Sequence, residues 1–285
     1  MTTQLTETRV HDNVVVYSLG GDSMPTSYGT NAVAVVGERA VLLVDPLIAP
    51  AHGRLIEAAL RRRTDAPVRF VVFTHHHTDH TLGAAVFEDR GAALIGHRAC
   101  REAMAGEHPR LIAARRTQPA VADLFLDARP VLPSITFDES LVLHVGGVEV
   151  EVWHPGWGHT PGDAFLFVPE ARVAICGDLL FAGYHYNYEH ASLTGVREGL
   201  RALRALDADV FIPGHGSPGG IELLDQQAAY HDAVEAIVND ALESGQTEDA
   251  AAAAIRERFP QYRLGIVTPA AIACIRESRA KRAAR

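Results

Sequence analysis

The chain has 285 residues, 47% hydrophobic and 21% charged, with a formal net charge of −9. This composition suits a globular chain with an ample core, excludes a fibrous or disordered one, and its acidity argues against nucleic-acid binding. No apolar run approaches the ~20 residues of a membrane-spanning helix, so no membrane partner is expected. The opening MTTQLTETRVHDNVVVY lacks a basic head before an apolar stretch, and Cys100, Cys176 and Cys274 are too scattered for a disulfide framework, so a cytoplasmic protein is expected.

The pattern alternates strands and helices. Val14–Leu19, Thr30–Val36 and Ala40–Val44 read as strands, the last stopping at Asp45-Pro46. Ala51–Arg63 reads as an amphipathic helix, Val68–Thr74 as a buried strand, Thr81–Asp89 as a helix and Ala92–Ile95 as a short strand. Residues 106–133 lack regular pattern and are expected to cover a site. Leu141–Val145 and Val148–Trp153 flank Gly146-Gly147, a hairpin signal. Ala164–Val168 and Arg172–Cys176 are expected strands, the second ending at Gly177-Asp178; Val196–Leu206 is a helix and Asp209–Ile212 a strand ending at Pro213-Gly214-His215-Gly216. Strand, turn, strand, Asp, helix, strand and His loop thus occur twice, from Asp45 to His75 and from Asp178 to His215. Two such units can pack sheet on sheet with helices outside, a four-layer α/β arrangement. Residues 1–220 are expected to form this domain, and residues 221–285, which read as helices only, a C-terminal extension packed on it.

Histidine is the compositional outlier, with 15 copies. Thr74–His80 reads THHHTDH and follows a buried strand directly, at the carboxyl end where α/β sheets place ligands. His75 and His77 can face one point from an extended loop, and Asp79 and His80 can turn toward a second. Imidazole with carboxylate suits zinc, iron or manganese rather than calcium or magnesium. One zinc would be content with three histidines; the surplus Asp79 and His80 make sense beside a second metal. His159 in PGWGHTPGD, Asp178 in CGDLLF and His215 in PGHG lie in loops expected just beyond strands, from which they could converge on the cluster.

THHHTDH, GHTPGD, CGDLLF and PGHG, in this order over roughly residues 10 to 220, resemble the metallo-β-lactamase-fold superfamily. The resemblance implies an αββα sandwich of two similar halves with a metal site at one edge. By position, His75, His77 and His159 would hold a first metal, Asp79, His80 and His215 a second, and Asp178 would bridge them. Asp178 stands where one large β-lactamase group has cysteine, and GDLLF is similar to glyoxalase II-like dinuclear hydrolases. Phe181 replaces the tyrosine of the acyl-homoserine lactonases, and His77 replaces the glutamate of the flavodiiron proteins.

These residues imply a cytoplasmic hydrolase with two transition-metal ions, zinc first, iron or manganese otherwise. A metal-bound hydroxide would attack a small acyl substrate, a thioester in first place, then a lactone or β-lactam, with Asp79 accepting the proton. The rivals are a non-haem iron oxygenase similar to the persulfide dioxygenases and a cytoplasmic β-lactamase-like enzyme. Trp157, Tyr184, His185, Tyr186 and Asn187 are the expected substrate-binding residues, with Tyr188 and His190 beside them, and Asp45 is expected to orient a ligand imidazole. His76 is expected to face outward, His97, His144 and His154 to be structural, and Cys176 to fill core space. A homo-oligomer is compatible with the sequence.

Overall fold

The computed structural model describes residues 4–283. In chain order its strands and helices are β1 (Thr6–His11), β2 (Val14–Ser18), β3 (Asn31–Val36), β4 (Val41–Val44), α1 (Pro50–Arg61), β5 (Val68–Val72), α2 (Thr78–Thr81), α3 (Ala85–Glu88), β6 (Ala93–His97), α4 (Arg98–Arg116), β7 (Ile135–Phe137), β8 (Ser140–Val145), β9 (Val148–Trp153), β10 (Phe165–Val168), β11 (Val173–Phe181), α5 (Leu193–Arg204), β12 (Val210–His215), α6 (Glu222–Glu243), α7 (Glu248–Arg258) and α8 (Ala270–Ala283).

Runs rich in Val, Ile and Leu build two sheets, because β-branched chains fit a pleated, two-sided surface. The first sheet has the order β1-β2-β3-β4-β5-β6-β7 and the second β12-β11-β10-β9-β8. In the first, β3 and β4 form an antiparallel pair, α1 crosses over, and β5 returns parallel to β4. In the second, β10 and β11 pair antiparallel, α5 crosses over, and β12 returns parallel to β11. The two halves therefore share a topology as well as a sequence order.

Between the sheets, Val14, Val16, Val33, Val35 and Val44 meet Val150, Val152, Leu166, Val168 and Ile175. On the outer face of the first sheet, Ile56, Ala59 and Leu60 of α1 pack on Leu43, Val71 and Phe73. On the outer face of the second, Leu200 and Leu203 of α5 and Leu224 of α6 cover Ala174, Cys176 and Phe211. The layers are helix, sheet, sheet, helix. Burying a side chain of this size contributes roughly 1.5–3 kcal/mol. Helices α6, α7 and α8 close over residues 184–188 through Tyr230, Val234, Ile255 and Ile272. Among the described residues no helix is long and apolar enough to cross a membrane.

Several boundaries differ from expectation for physical reasons. β11 does not end at Gly177-Asp178: Gly177 takes φ +51°, the ladder shifts register there, and pairing resumes at Phe181 opposite His215. Asp178 and His215 thus sit on the strands rather than in loops beyond them. In place of the single helix expected over 81–89 the chain forms the end of α2, a 3-10 turn and α3, and Gly83 lies against the chain at Pro46, where a Cβ would lie 1.8 Å from the carbonyl oxygen. The irregular segment after 106 begins inside α4, a helix that runs through Pro109 and buries Cys100, Met104, His108 and Ile112 at four-residue spacing. β1 has no apolar alternation and is largely exposed, so it left no pattern to read.

Candidate metal centre

β5 delivers the chain into THHHTDH at its carboxyl end. Thr74 anchors the turn: its amide and hydroxyl donate to Asp45, at 2.9 and 2.6 Å. Asp45 itself has φ +51°, a left-handed turn after β4 that Asp tolerates better than most residues. Its carboxylate also accepts from His80 Nδ1 at 2.8 Å, which turns His80 Nε2 toward Asp178 and the cluster. His215 is fixed the same way, with Nδ1 donating to the Tyr28 carbonyl at 3.0 Å.

His159 arrives on a loop wrapped around a buried carboxylate. Asp163 accepts from the amides of Gly158, His159 and Thr160 and from the Thr160 hydroxyl, at 2.6 to 3.2 Å. Asp178 comes from β11 and faces Gly214 on β12, where a Cβ would lie 1.8 Å from Asp178 Oδ1; only glycine leaves room for the carboxylate.

The structure brings all seven candidate ligands together. Asp178 Oδ2 lies 3.7 Å from His75 Nε2, 3.3 Å from His159 Nε2 and 3.4 Å from His215 Nε2, and Oδ1 lies 3.2 Å from His80 Nε2. His77 Nδ1 is 3.0 Å from His159 Nε2. Asp79 Oδ2 is 3.5 Å from Nε2 of both His80 and His215. Two groups result, His75, His77, His159 and Asp178 in one and Asp79, His80 and His215 in the other, each with ligand atoms within 4.8 Å of one another. Asp178 touches both.

These donors fit transition-metal ions. His75 Nε2 is buried with no hydrogen-bond partner although it faces the cluster, an arrangement that costs ~1–3 kcal/mol unless a ligand satisfies it. Burial and the neighbouring imidazoles hold His75 and His77 well below the usual imidazole range, and burial pushes His159 down to about 4, so all three keep free lone pairs. Burial alone would do the same to His80, but Asp178, Asp79 and Asp45 outweigh it and raise His80 well above its ordinary value; Asp178 and Asp79 likewise raise His215. Burial opposes ionisation of Asp178, yet His80, His215 and His75 hold its carboxyl well below the carboxylate range. The carboxylates thus favour positive charge at this end, the charge that a bound cation would supply.

A cavity of about 390 Å³ opens onto Asp79, Asp178 and His215. Its walls include Glu107, Arg110 and Leu111 of α4 on one side and Leu264 and Ile266 on the other. The 106–133 segment thus contributes to the wall through the end of α4. Of the expected substrate wall, Asn187 lines the cavity, with Glu189 and His190. Tyr184, His185 and Tyr186 do not, which corrects that expectation: they are buried under the C-terminal helices. The Tyr184 hydroxyl donates to the Gly21 carbonyl at 2.6 Å, His185 Nδ1 meets the Tyr230 hydroxyl at 3.1 Å, and Tyr186 packs edge-on against His159 at 5.3 Å. Tyr188 is likewise buried, 2.6 Å from His231. Trp157 is exposed beside the cavity, and its indole donates to the His190 carbonyl at 2.7 Å.

Other expectations also met the structure. His76 is buried rather than outward-facing. His97 caps α4 and stacks on His154 at 3.8 Å, and Cys176 is enclosed in apolar core. Asp45 orients His80 as expected, but sequence reasoning missed the other residues that support the candidate ligands. Ser27 and Tyr28 are both left-handed; the Ser27 hydroxyl donates to the Asp79 carbonyl at 2.8 Å, and Thr30 Oγ1 lies 3.0 Å from Asp79 Oδ2. Asp163, inside a quoted motif, is the other; its place three residues after Thr160 in a Gly-rich loop was the available signal.

Comparison with known proteins gives one consistent answer. The family model described as the metallo-beta-lactamase superfamily matches residues 25–215. The chain is 27% identical over 215 residues, 75% of its length, to the 2,4-dinitroanisole O-demethylase subunit alpha of Nocardioides sp. (strain JS1661). It is 24% identical over 175 residues, 61% of its length, to the metallo-beta-lactamase type 2 of Elizabethkingia meningoseptica. Those alignments span only 60% and 62% of the two relatives. Among solved structures, a metallo-beta-lactamase from Pontibacter korlensis superposes with a TM-score of 0.67 at 20% identity, covering 80% of this chain and 99% of that one. The two-sheet sandwich, the matched domain and the His/Asp groups agree: the chain belongs to the metallo-beta-lactamase superfamily.

Proposed function

We propose that the protein is a metal-dependent hydrolase of small acyl compounds with a two-ion transition-metal centre, zinc in first place. The observation that carries this reading is the position of Asp178, a single carboxylate within 3.2 to 3.7 Å of histidines from both ligand groups. His75, His77 and His159 would hold one ion, Asp79, His80 and His215 the other, with Asp178 between them. Ions held there supply Lewis acidity and a water nucleophile at neutral pH.

The chain's own residues do the rest. Asp79 faces the cavity and is steadied by Thr30, so it is placed to take a proton from the attacking water and pass it to the leaving group. Arg110 lies at the mouth with no carboxylate partner among the described contacts, suited to an anionic group. Leu111, Leu264 and Ile266 offer an apolar surface to the body of the substrate. An anionic thioester is the favoured substrate, from the GDLLF motif and this lining, with lactones and β-lactams next. The demethylase relative adds an activated aryl ether to the list. An iron oxygenase is the rival reading, because imidazole and carboxylate also serve iron.

The test is a panel of thioesters, lactones, β-lactams and 2,4-dinitroanisole assayed on protein loaded with zinc, manganese or iron. Turnover of an acyl substrate without oxygen uptake supports the proposal. Oxygen-dependent turnover with iron, and none with zinc, overturns it.

A further inference from the structure

A second histidine cluster lies on the cavity side of His77. His77 turns Nδ1 inward to His159 and Nε2 outward, 3.0 Å from His190 Nδ1. One ring nitrogen each from His76, His77 and His190 lies within 4.8 Å of the other two. His76 is 2% exposed, and neither of its ring nitrogens has a hydrogen-bond partner. Glu107 of α4 brings Oε2 to 3.6 Å from His76 Nε2. His190 and Glu107 are half-buried, and all four residues line the cavity.

An imidazole buried with both nitrogens unsatisfied is expensive, and an apolar side chain would fill the same space without that cost. A metal ion on one ring nitrogen satisfies its lone pair and leaves only the opposite N–H, which reduces that cost. Zinc–nitrogen bonds of about 2.0–2.1 Å in a tetrahedron place ligand atoms roughly 3.4 Å apart. The 3.6 Å separation of His76 Nε2 and Glu107 Oε2 is close to that spacing, and His190 brings a ring nitrogen within 4.8 Å of one on His76. Neutral imidazole with one carboxylate is a donor set for zinc, cobalt or a similar divalent ion.

We propose that His76, His190 and Glu107 form a further transition-metal site at the cavity mouth, bordered by Nε2 of His77. It lacks a carboxylate placed like Asp178 and opens to the cavity, so it fills after the inner groups, at higher metal concentration. An ion there stands on the route by which a substrate reaches Asp79. The inference concerns residues outside the inner centre and does not depend on the reaction proposed above.

The test uses Co²⁺ as probe. Full-length wild-type protein and the double variant His190→Ala/Glu107→Gln are dialysed against increasing Co²⁺, and bound metal is counted by elemental analysis. The readout is the difference between the two proteins, so it holds whatever the inner stoichiometry; the tightly held ions common to both report on the inner centre separately. Wild type should bind one equivalent more than the variant, and Glu107→Gln alone should weaken that last equivalent at least ~10-fold. Glu107 is half-buried on α4 and Glu107→Gln is nearly isosteric, so the single variant carries the comparison if the double variant is poorly folded. Equal stoichiometry in wild type and double variant, or an unchanged last equivalent in Glu107→Gln, overturns the proposal.

Discussion

Replacing Gly214 with alanine places a methyl carbon 1.8 Å from Asp178 Oδ1 and 2.9 Å from the Gly177 carbonyl carbon. Gly214 has no left-handed φ, so the backbone itself accepts alanine and the whole effect is steric. Ordinary contact begins near 3.4 Å, so the carboxylate or β12 must move by about 1.6 Å, the difference between 3.4 and the 1.8 Å separation. Overpacking of this kind costs ~1–3 kcal/mol of stability. Displacing a reacting group by about 1 Å costs ~10²-fold in rate, and Asp178 moves further than that while serving both ligand groups. Gly214→Ala should therefore remain folded, with Tm lowered by several degrees, while metal occupancy falls at both inner positions and kcat drops at least ~100-fold. Elemental analysis, thermal unfolding and single-substrate kinetics measure the three quantities. Wild-type metal content and turnover in this variant would refute the argument that the absence of a Cβ at 214 makes room for the Asp178 carboxylate.

Asp163→Ala strips the amides of Gly158, His159 and Thr160 of their buried acceptor; at ~1–3 kcal/mol per unsatisfied donor, the His159 loop should loosen, with earlier thermal unfolding and faster amide exchange at 158–160. Unchanged exchange there would contradict the role given to Asp163. Asp45→Asn removes the charge that fixes the tautomer of His80; metal affinity at the His80 group should fall ~10–100-fold in competition with a chelator, whereas the His75 group should hold its ion. Acid should destabilise the protein through its buried neutral histidines. Burial lowers His231 to about 3, below its unfolded value near 6.5, so the unfolded chain binds more protons between those values and stability falls as pH drops from 6.5 toward 3. At pH 5 that group alone costs about 2 kcal/mol, and denaturant titrations at pH 7 and pH 5 should show at least this difference; equal midpoints would contradict it.

The clustering of the candidate ligands was legible because the sequence states them densely. His75 to His80 crowd one strand end, and Asp178 and His215 each follow glycine on an apolar run. The duplicated order around Asp45 and Asp178 showed the two halves, since β-α-β crossovers leave a periodic trace. Asp45 apart, the supports were not legible, because no spacing marks them: the left-handed pair Ser27 and Tyr28, the Thr30 hydroxyl beside Asp79, the Tyr28 carbonyl on His215, and the amides gathered by Asp163. Tyr184, His185 and Tyr186 were misread for a different reason. A run of rings next to a ligand strand can line a cavity or pack beneath a helix, and only α6 to α8 decide which. α4 was hidden because Gly106 and Pro109 read as breakers, while its buried stripe is a single residue wide.

The central claim is that Asp178 joins two metal-binding groups. Elemental analysis of the purified wild type and of Asp178→Ala, at matched protein concentration after dialysis against trace zinc, tests it most directly. The account predicts two tightly held equivalents in the wild type and a loss at both positions in the variant. A wild type that holds one ion or none, or a variant that keeps two, would contradict it.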